Sequence, residues 1–256
     1  MELRVIGCHG GETPAHRTSA FILDDTLAID AGALTSGLEL DAQARLAACL
    51  VSHAHLDHVR DLATLADNRF QLQAPPLVVA GTRETIAALR RHFFNNLLWP
   101  DFSQIATPAG GNTIEYLELT PEVPAVVGGK TVRAVLVDHT IEAAGFVIEG
   151  PDGALGYSGD TGPTRRMWEV LNEQADLRAL LMEVSFPDRE QRLADISGHH
   201  TPRTLAADLA RYRAPRDLPT LLYHIKPAFQ AEVERECAAL TGLNLSVLQI
   251  DDHFVL

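Results

Sequence analysis

Residues 53–58 read His-Ala-His-Leu-Asp-His, which places three imidazoles and a carboxylate within six residues. His53 and His55 are two apart, so in an extended segment both side chains leave the same face. Asp57 and His58 follow where the apolar run from Leu46 to Ser52 ends and a helical pattern from Val59 to Asn68 begins. One turn then aims donors at a point from two directions. Imidazole and carboxylate without thiolate suit zinc, with manganese and iron as alternatives. The competing reading is a histidine-rich surface turn, but three histidines in this register beside an aspartate are hard to obtain by chance. A fold that contains this segment has to bring a buried strand, a tight turn and a helix start together around a cation.

The rest of the chain supplies the strands and helices for that. Residues 2–7, 18–23 and 26–31 read as short apolar strands with Gly10-Gly11 and Asp24-Asp25 in the turns. Residues 39–48 suit a short helix and lead to a buried strand through Leu50 and Val51. Leu77 to Ala80 suits a strand, and Thr82 is a good N-cap for a helix to Phe94. After an irregular stretch over 95–112, strands are expected at 113–119, 131–137, 144–149 and 153–158. Then come a helix at 163–174, strand 177–184, helix 202–212, strand 218–223, helix 229–240 and strand 245–250. Runs of strands alternating with helices in both halves point to an α/β (α+β) architecture, two packed sheets with helices outside, in a single domain spanning residues 1–256.

Composition narrows the partners. The net charge of −13 argues against a large nucleic-acid surface, which needs stripes of Lys and Arg. A small anionic substrate stays compatible, because bound divalent cations reverse the local potential. No apolar run reaches the ~18 residues that would span a membrane, and Met1 to Ile6 lacks the pattern of a secretory signal. A cytoplasmic location is the expectation. Cys8, Cys49 and Cys237 are scattered and form no CxxC pair, as suits buried apolar residues in a reducing compartment.

Further donors stand at the ends of expected strands. His139 follows Val132 to Val137, Asp160 follows Gly156 to Gly159, and His224 follows Thr220 to Tyr223. Each alone reads as a polar residue closing a strand; together they complete a ligand list. In that list and order, His53-x-His55-x-Asp57-His58 with His139, Asp160 and His224 resembles the metallo-β-lactamase superfamily over essentially the whole chain. The resemblance implies an αββα sandwich of two mixed sheets flanked by helices, with two divalent metal ions at one edge. It also implies that His53, His55 and His139 hold one ion, that Asp57, His58 and His224 hold a second, and that Asp160 bridges them.

Three other stretches resemble the class II cyclic-nucleotide phosphodiesterases within that superfamily. They are HAHLDHV at 53–59, FNNLLWP at 94–100, and the pair Gly198-His199-His200-Thr201-Pro202 and His224-Ile225-Lys226-Pro227. That signature carries Gly where this chain has Asp61. The resemblance implies hydrolysis of a small phosphodiester such as 3′,5′-cyclic AMP, by attack of a hydroxide bridging two metals that Asp57 orients. His199, just before the helix N-terminus at Thr201-Pro202, would donate a proton or hydrogen bond to a phosphate oxygen. Trp99 and Phe102 could wall a base pocket or seal a helix against the core. His200 reads as a partly exposed loop histidine, His92 and His253 as ordinary surface histidines, His9 and His16 as part of a Gly-rich loop that could border the site, and Glu183 as either a partner that orients a ligand or a structural pair with an Arg. An RNA-processing phosphodiesterase like tRNase Z, a lactone or thioester hydrolase, and a non-catalytic metal-binding scaffold are the rival readings. A homodimer is compatible with all of them.

Overall fold

A computed structural model describes residues 1–213 and 218–256. Its layering follows from side-chain alternation along the strands. In the first half these are β1 (Glu2–Gly7), β2 (Ala20–Leu23), β3 (Leu27–Ile29), β4 (Ala48–Leu50), β5 (Leu77–Thr82) and β6 (Ile114–Leu119). The second half adds β7 (Ala125–Val127), β8 (Lys130–Val137), β9 (Ala143–Gly150), β10 (Gly153–Tyr157), β11 (Leu177–Glu183), β12 (Thr220–Tyr223), β13 (Leu245–Val247) and β14 (His253–Val255). Phe21 and Leu23, Leu27 and Ile29, and Ala48 and Leu50 point into one core, while Ile22, Ala28 and Cys49 point into another. From the other side Phe146 and Ile148, Ala179 and Leu181, and Leu221 and Tyr223 enter that same first core. Their neighbours Val147, Leu180 and Leu222 enter a third. A period of two with both faces apolar is what a sheet covered on both sides requires.

The result is an αββα sandwich. The first sheet runs β14-β1-β2-β3-β4-β5-β6 and the second β13-β12-β11-β10-β9-β8-β7. Each is mixed: β3 to β6 pair in parallel and β10 to β13 pair in parallel, while the remaining neighbours are antiparallel. Helix Leu62–Gln71 buries Leu62, Leu65 and Ala66 against the first sheet. Helices Arg166–Leu171, Pro202–Leu209 and Gln230–Ala238 cover the second. Among the described residues no helix is long and apolar enough to cross a membrane.

Several elements differ from the sequence expectation. The helix expected from Val59 is two pieces, Leu56–Val59 and Leu62–Gln71, because Asp61 turns inward between them. It is 5% exposed, and its carboxylate accepts from Thr35 N and Thr35 Oγ1, both at 2.8 Å. The helix capped by Thr82 is α-helical only to Ala88 and widens into a π turn over Leu89–Phe93. That wider turn lets the consecutive Phe93 and Phe94 both enter the outer core. The helix expected at 163–174 is confined to Arg166–Leu171. Helix Gln191–Ser197 and the short strands β7 and β14 were not expected at all.

Candidate metal centre

The carboxyl ends of the central strands meet at one edge of the sandwich, where ligands collect in open α/β sheets. β3 leads into Asp30, β4 into Ser52 and His53, β8 into His139, β10 into Asp160, β11 into Ser185 and β12 into His224. His55 precedes the one-turn helix Leu56–Val59, which carries Asp57 and His58. The seven side chains that are scattered along the sequence therefore converge.

Their donor atoms face one another. His55 Nδ1 lies 3.0 Å from His53 Nε2 and 3.1 Å from His139 Nε2. His224 Nε2 lies 3.1 Å from Asp160 Oδ2, 3.3 Å from His58 Nε2 and 3.4 Å from Asp57 Oδ2. Asp160 Oδ2 also stands 3.2 Å from His58 Nε2 and 3.8 Å from His53 Nε2, so it touches both groups of donors. Two features test whether a cation fits. Nitrogens around a tetrahedral zinc at ~2.0–2.1 Å are themselves a little over ~3 Å apart, the spacing of the first group. Asp160 Oδ1 is buried with no hydrogen-bond partner among the described residues. A buried, unpartnered carboxylate oxygen is costly unless a cation meets it. The donor set fits divalent metal.

Burial and neighbouring charge set the protonation. His53, fully buried, is pushed well below the ordinary imidazole range by burial and by the other imidazoles. Burial also lowers His55 and His224. All three are thereby kept neutral, as a ligand must be. At His58 burial acts in the same direction, but the carboxylates of Asp160 and Asp30 outweigh it and hold the ring well above its usual value. Burial would raise Asp57 and Asp160, yet the surrounding imidazoles hold both carboxyls below the usual range.

The groups behind the ligands were only partly visible in the sequence. Asp30 accepts from Ser52 N and Ser52 Oγ at 2.8 Å, His58 Nδ1–H at 2.7 Å and Tyr157 OH at 2.6 Å. Its one sequence signal is a charge at the end of the apolar run Leu27 to Ile29. Glu183 is fully buried, accepts from His200 N at 2.8 Å and Ser185 Oγ at 2.9 Å, and lies 3.4 Å from His199 Nδ1. His199 is 6% exposed, with its ring 5.0 Å from that of His139 and stacked 5.2 Å from that of His224. Burial would lower it, but the Glu183 carboxylate prevails and raises it. His200, expected as a partly exposed loop histidine, is instead fully buried, with Nδ1 at 3.1 Å from Thr204 Oγ1 at the start of helix Pro202–Leu209.

The Gly-rich loop lies against the centre: Gly10 N donates to Ile225 O, and a Cβ on Gly10 would stand 2.9 Å from His224 Nδ1. Glu12 at its tip pairs with Arg60 beside the ligand helix. Phe102, 4% exposed, belongs to the core outside the first sheet, and Trp99 packs on that same core. Neither joins the hydrogen bonds and ring contacts that bind the centre together.

Comparison with known proteins follows the same lines. A family model described as "Beta-lactamase superfamily domain" matches residues 29–225. A Yersinia pestis protein named "Probable 3',5'-cyclic-nucleotide phosphodiesterase" is 26% identical, with 90% of this chain and 79% of that protein covered. A 3',5'-cyclic-nucleotide phosphodiesterase of Aliivibrio fischeri is 29% identical over 71% of this chain and 60% of its own length. The crystal structure of unliganded yeast PDE1 superposes with a TM-score of 0.82 at 18% identity, covering 98% of each chain, and supports the fold.

Proposed function

Since the chain belongs to the β-lactamase superfamily domain family, we propose that it is a metal-dependent phosphodiesterase that opens a small cyclic nucleotide such as 3′,5′-cyclic AMP. The observation that carries this reading is the convergence of seven donors on a centre with an unpartnered carboxylate oxygen, with His199 stacked beside it. His53, His55 and His139 would hold one cation, Asp57, His58 and His224 a second, and Asp160 both. When bound, two such cations would supply Lewis acidity to the phosphoryl oxygens and an activated water.

The chain's own groups supply the rest. Asp57 is the most exposed of the carboxylates at the centre and is held ionised by its imidazole neighbours, which supports a role in orienting the incoming nucleophile. His199 has Nδ1 engaged by Glu183 and Ser185, which leaves Nε2 as the nitrogen free to meet substrate. Glu183 raises the ring against the effect of burial, which suits it to give a proton to the 3′ oxygen as the bond to phosphorus breaks. The net charge of −13 favours a small substrate over a large RNA.

The test is turnover of 3′,5′-cyclic AMP to 5′-AMP by protein reconstituted with zinc or manganese. Asp160→Ala should lose turnover together with bound metal. His199→Ala should keep its metal and lose ~10²–10⁴-fold in kcat. Reconstituted protein that leaves the cyclic nucleotide intact while cutting a tRNA precursor would overturn the assignment in favour of RNA processing.

A further inference from the structure

Ser185 is used neither as a ligand nor as an acid in the scheme above, yet its hydroxyl stands at the crossing of the centre's polar contacts. Ser185 Oγ lies 2.9 Å from Glu183 Oε2, 2.9 Å from His224 Nδ1, 3.2 Å from His199 Nδ1 and 3.2 Å from the His224 carbonyl oxygen. The residue is fully buried, and its backbone is fixed on both sides, by Ser185 N donating to His200 O and by Lys226 N donating to Ser185 O. A hydroxyl has one proton and two lone pairs. Carboxylate and carbonyl oxygens can only accept, and the charged Glu183 oxygen is both nearer and the stronger acceptor. The proton therefore goes to Glu183. What remains on Oγ is acceptor capacity, so His224 can meet it only through Nδ1–H.

We propose that Ser185 is a positioning residue that fixes His224 as its Nδ1–H tautomer and thereby turns the Nε2 lone pair toward the second cation. The consequence is visible at the other side of the ring. His224 Nε2 faces Asp160 Oδ2 at 3.1 Å and Asp57 Oδ2 at 3.4 Å. With the opposite tautomer, Nε2–H would donate to those carboxylates and Nδ1 would accept from Ser185. Glu183 Oε2 would then lose the Ser185 proton, and the second position would be closed by the proton on His224 Nε2. The direction of one hydroxyl, set by the Glu183 charge, selects the arrangement that needs a cation. This inference rests on the metal-centre reading and not on the identity of the substrate.

Two variants separate this role from simple packing. Ser185→Ala removes the hydroxyl. Glu183→Gln keeps it but places an amide donor against Oγ, which reverses the hydroxyl's direction. In competition titrations of the full chain against a chromophoric chelator for zinc, wild type should bind two ions. Both variants should bind one ion unchanged and the other ~10–100-fold more weakly, the usual effect of removing a partner behind a ligand. Long-range ¹⁵N spectra of the metal-free proteins should show His224 as Nδ1–H in wild type and shifted toward Nε2–H in both variants, with circular dichroism reporting the fold. Two ions held as tightly in Ser185→Ala as in wild type would overturn the inference. So would an equal loss of both ions, or a Glu183→Gln protein whose His224 keeps its tautomer. Wild-type protein that binds no zinc would instead overturn the metal-centre reading itself.

Discussion

Asp30 closes β3 at a left-handed φ of 56°, a conformation that Asp and Asn adopt more readily than other side chains. From there one carboxylate fixes His58 through Nδ1, the Ser52 turn that launches His53, and the Tyr157 hydroxyl. Asp30→Asn keeps both the backbone preference and the volume while removing the charge and one accepting oxygen. Its expected effect is a ~10–100-fold loss of metal affinity, read by chelator competition, with the circular dichroism spectrum retained. Affinity equal to wild type would show that the charge behind His58 does not matter. The same residue shows why some of the centre escaped the sequence. His53, His55, Asp57 and His58 announce themselves because they are neighbours, whereas His139, Asp160 and His224 each read alone as a polar residue closing a strand and stand out only as a set with the first four. Asp30 meets Ser52, His58 and Tyr157 from 22, 28 and 127 residues away, and nothing local marks such partners. Trp99 and Phe102 gave the opposite problem, since an aromatic run reads alike whether it walls a cavity or fills a core.

At the level of elements, the loops that end strands do the positioning, and their glycines set the tolerance. Helix Gln191–Ser197 stops at Gly198, which takes a left-handed φ of 67° as its C-cap. Its carbonyl accepts from His139 Nδ1–H at 2.9 Å, and a Cβ there would stand 2.9 Å from His139 Cα. Gly198→Ala should therefore cost about 1 kcal/mol from the backbone alone. It should also push His139 away from His53 and His55, weakening one ion in a chelator titration and lowering the melting temperature. A variant with wild-type metal affinity would mean that the loop yields without moving the ring. Elements with a clear period or cap were legible for the same local reason: Thr82 accepts from Thr85 N, as its sequence position suggested. The three-residue β14 was not, because its order comes from pairing with β1 at the far end of the chain, Glu2 opposite Val255. Helix Gln191–Ser197 has one fully buried residue, Ala194, so it shows no apolar stripe to read.

Across the whole molecule the centre lies on the seam between the sheets. His53, His55, Asp57 and His58 come from the first sheet's loops, whereas His139, Asp160 and His224 come from the second's. Cations held there would tie the two sheets together beside the shared apolar core, and Asp30 with Tyr157 and His58 between Asp30 and Asp160 are the charged contacts that cross the same seam. Metal-free protein should then be least stable where His58 loses its proton and the two carboxylates face each other uncompensated. The sign follows from the direction of the shift. A ring held well above its ordinary value, about 6.5 when unfolded, contributes stability that is complete below that value and lost as pH rises through the folded one. His199, raised by Glu183, adds to the same trend, whereas His53, His55 and His224, lowered by burial, contribute oppositely but only below about 6.5, where unfolded imidazole takes up protons. The buried thiols of Cys8 and Cys237, pushed up to about 12, act only at more alkaline pH. Between about pH 6.5 and 8 the melting temperature of chelator-treated protein should fall. Zinc at ~100 times its Kd should raise stability by about 2.7 kcal/mol per site. It should also flatten that slope, because the cations take over the proton's role. Calorimetry at several pH values with and without zinc measures both, and a metal-free melting temperature that rises over this window would mean that His58 is not the proton holding the seam.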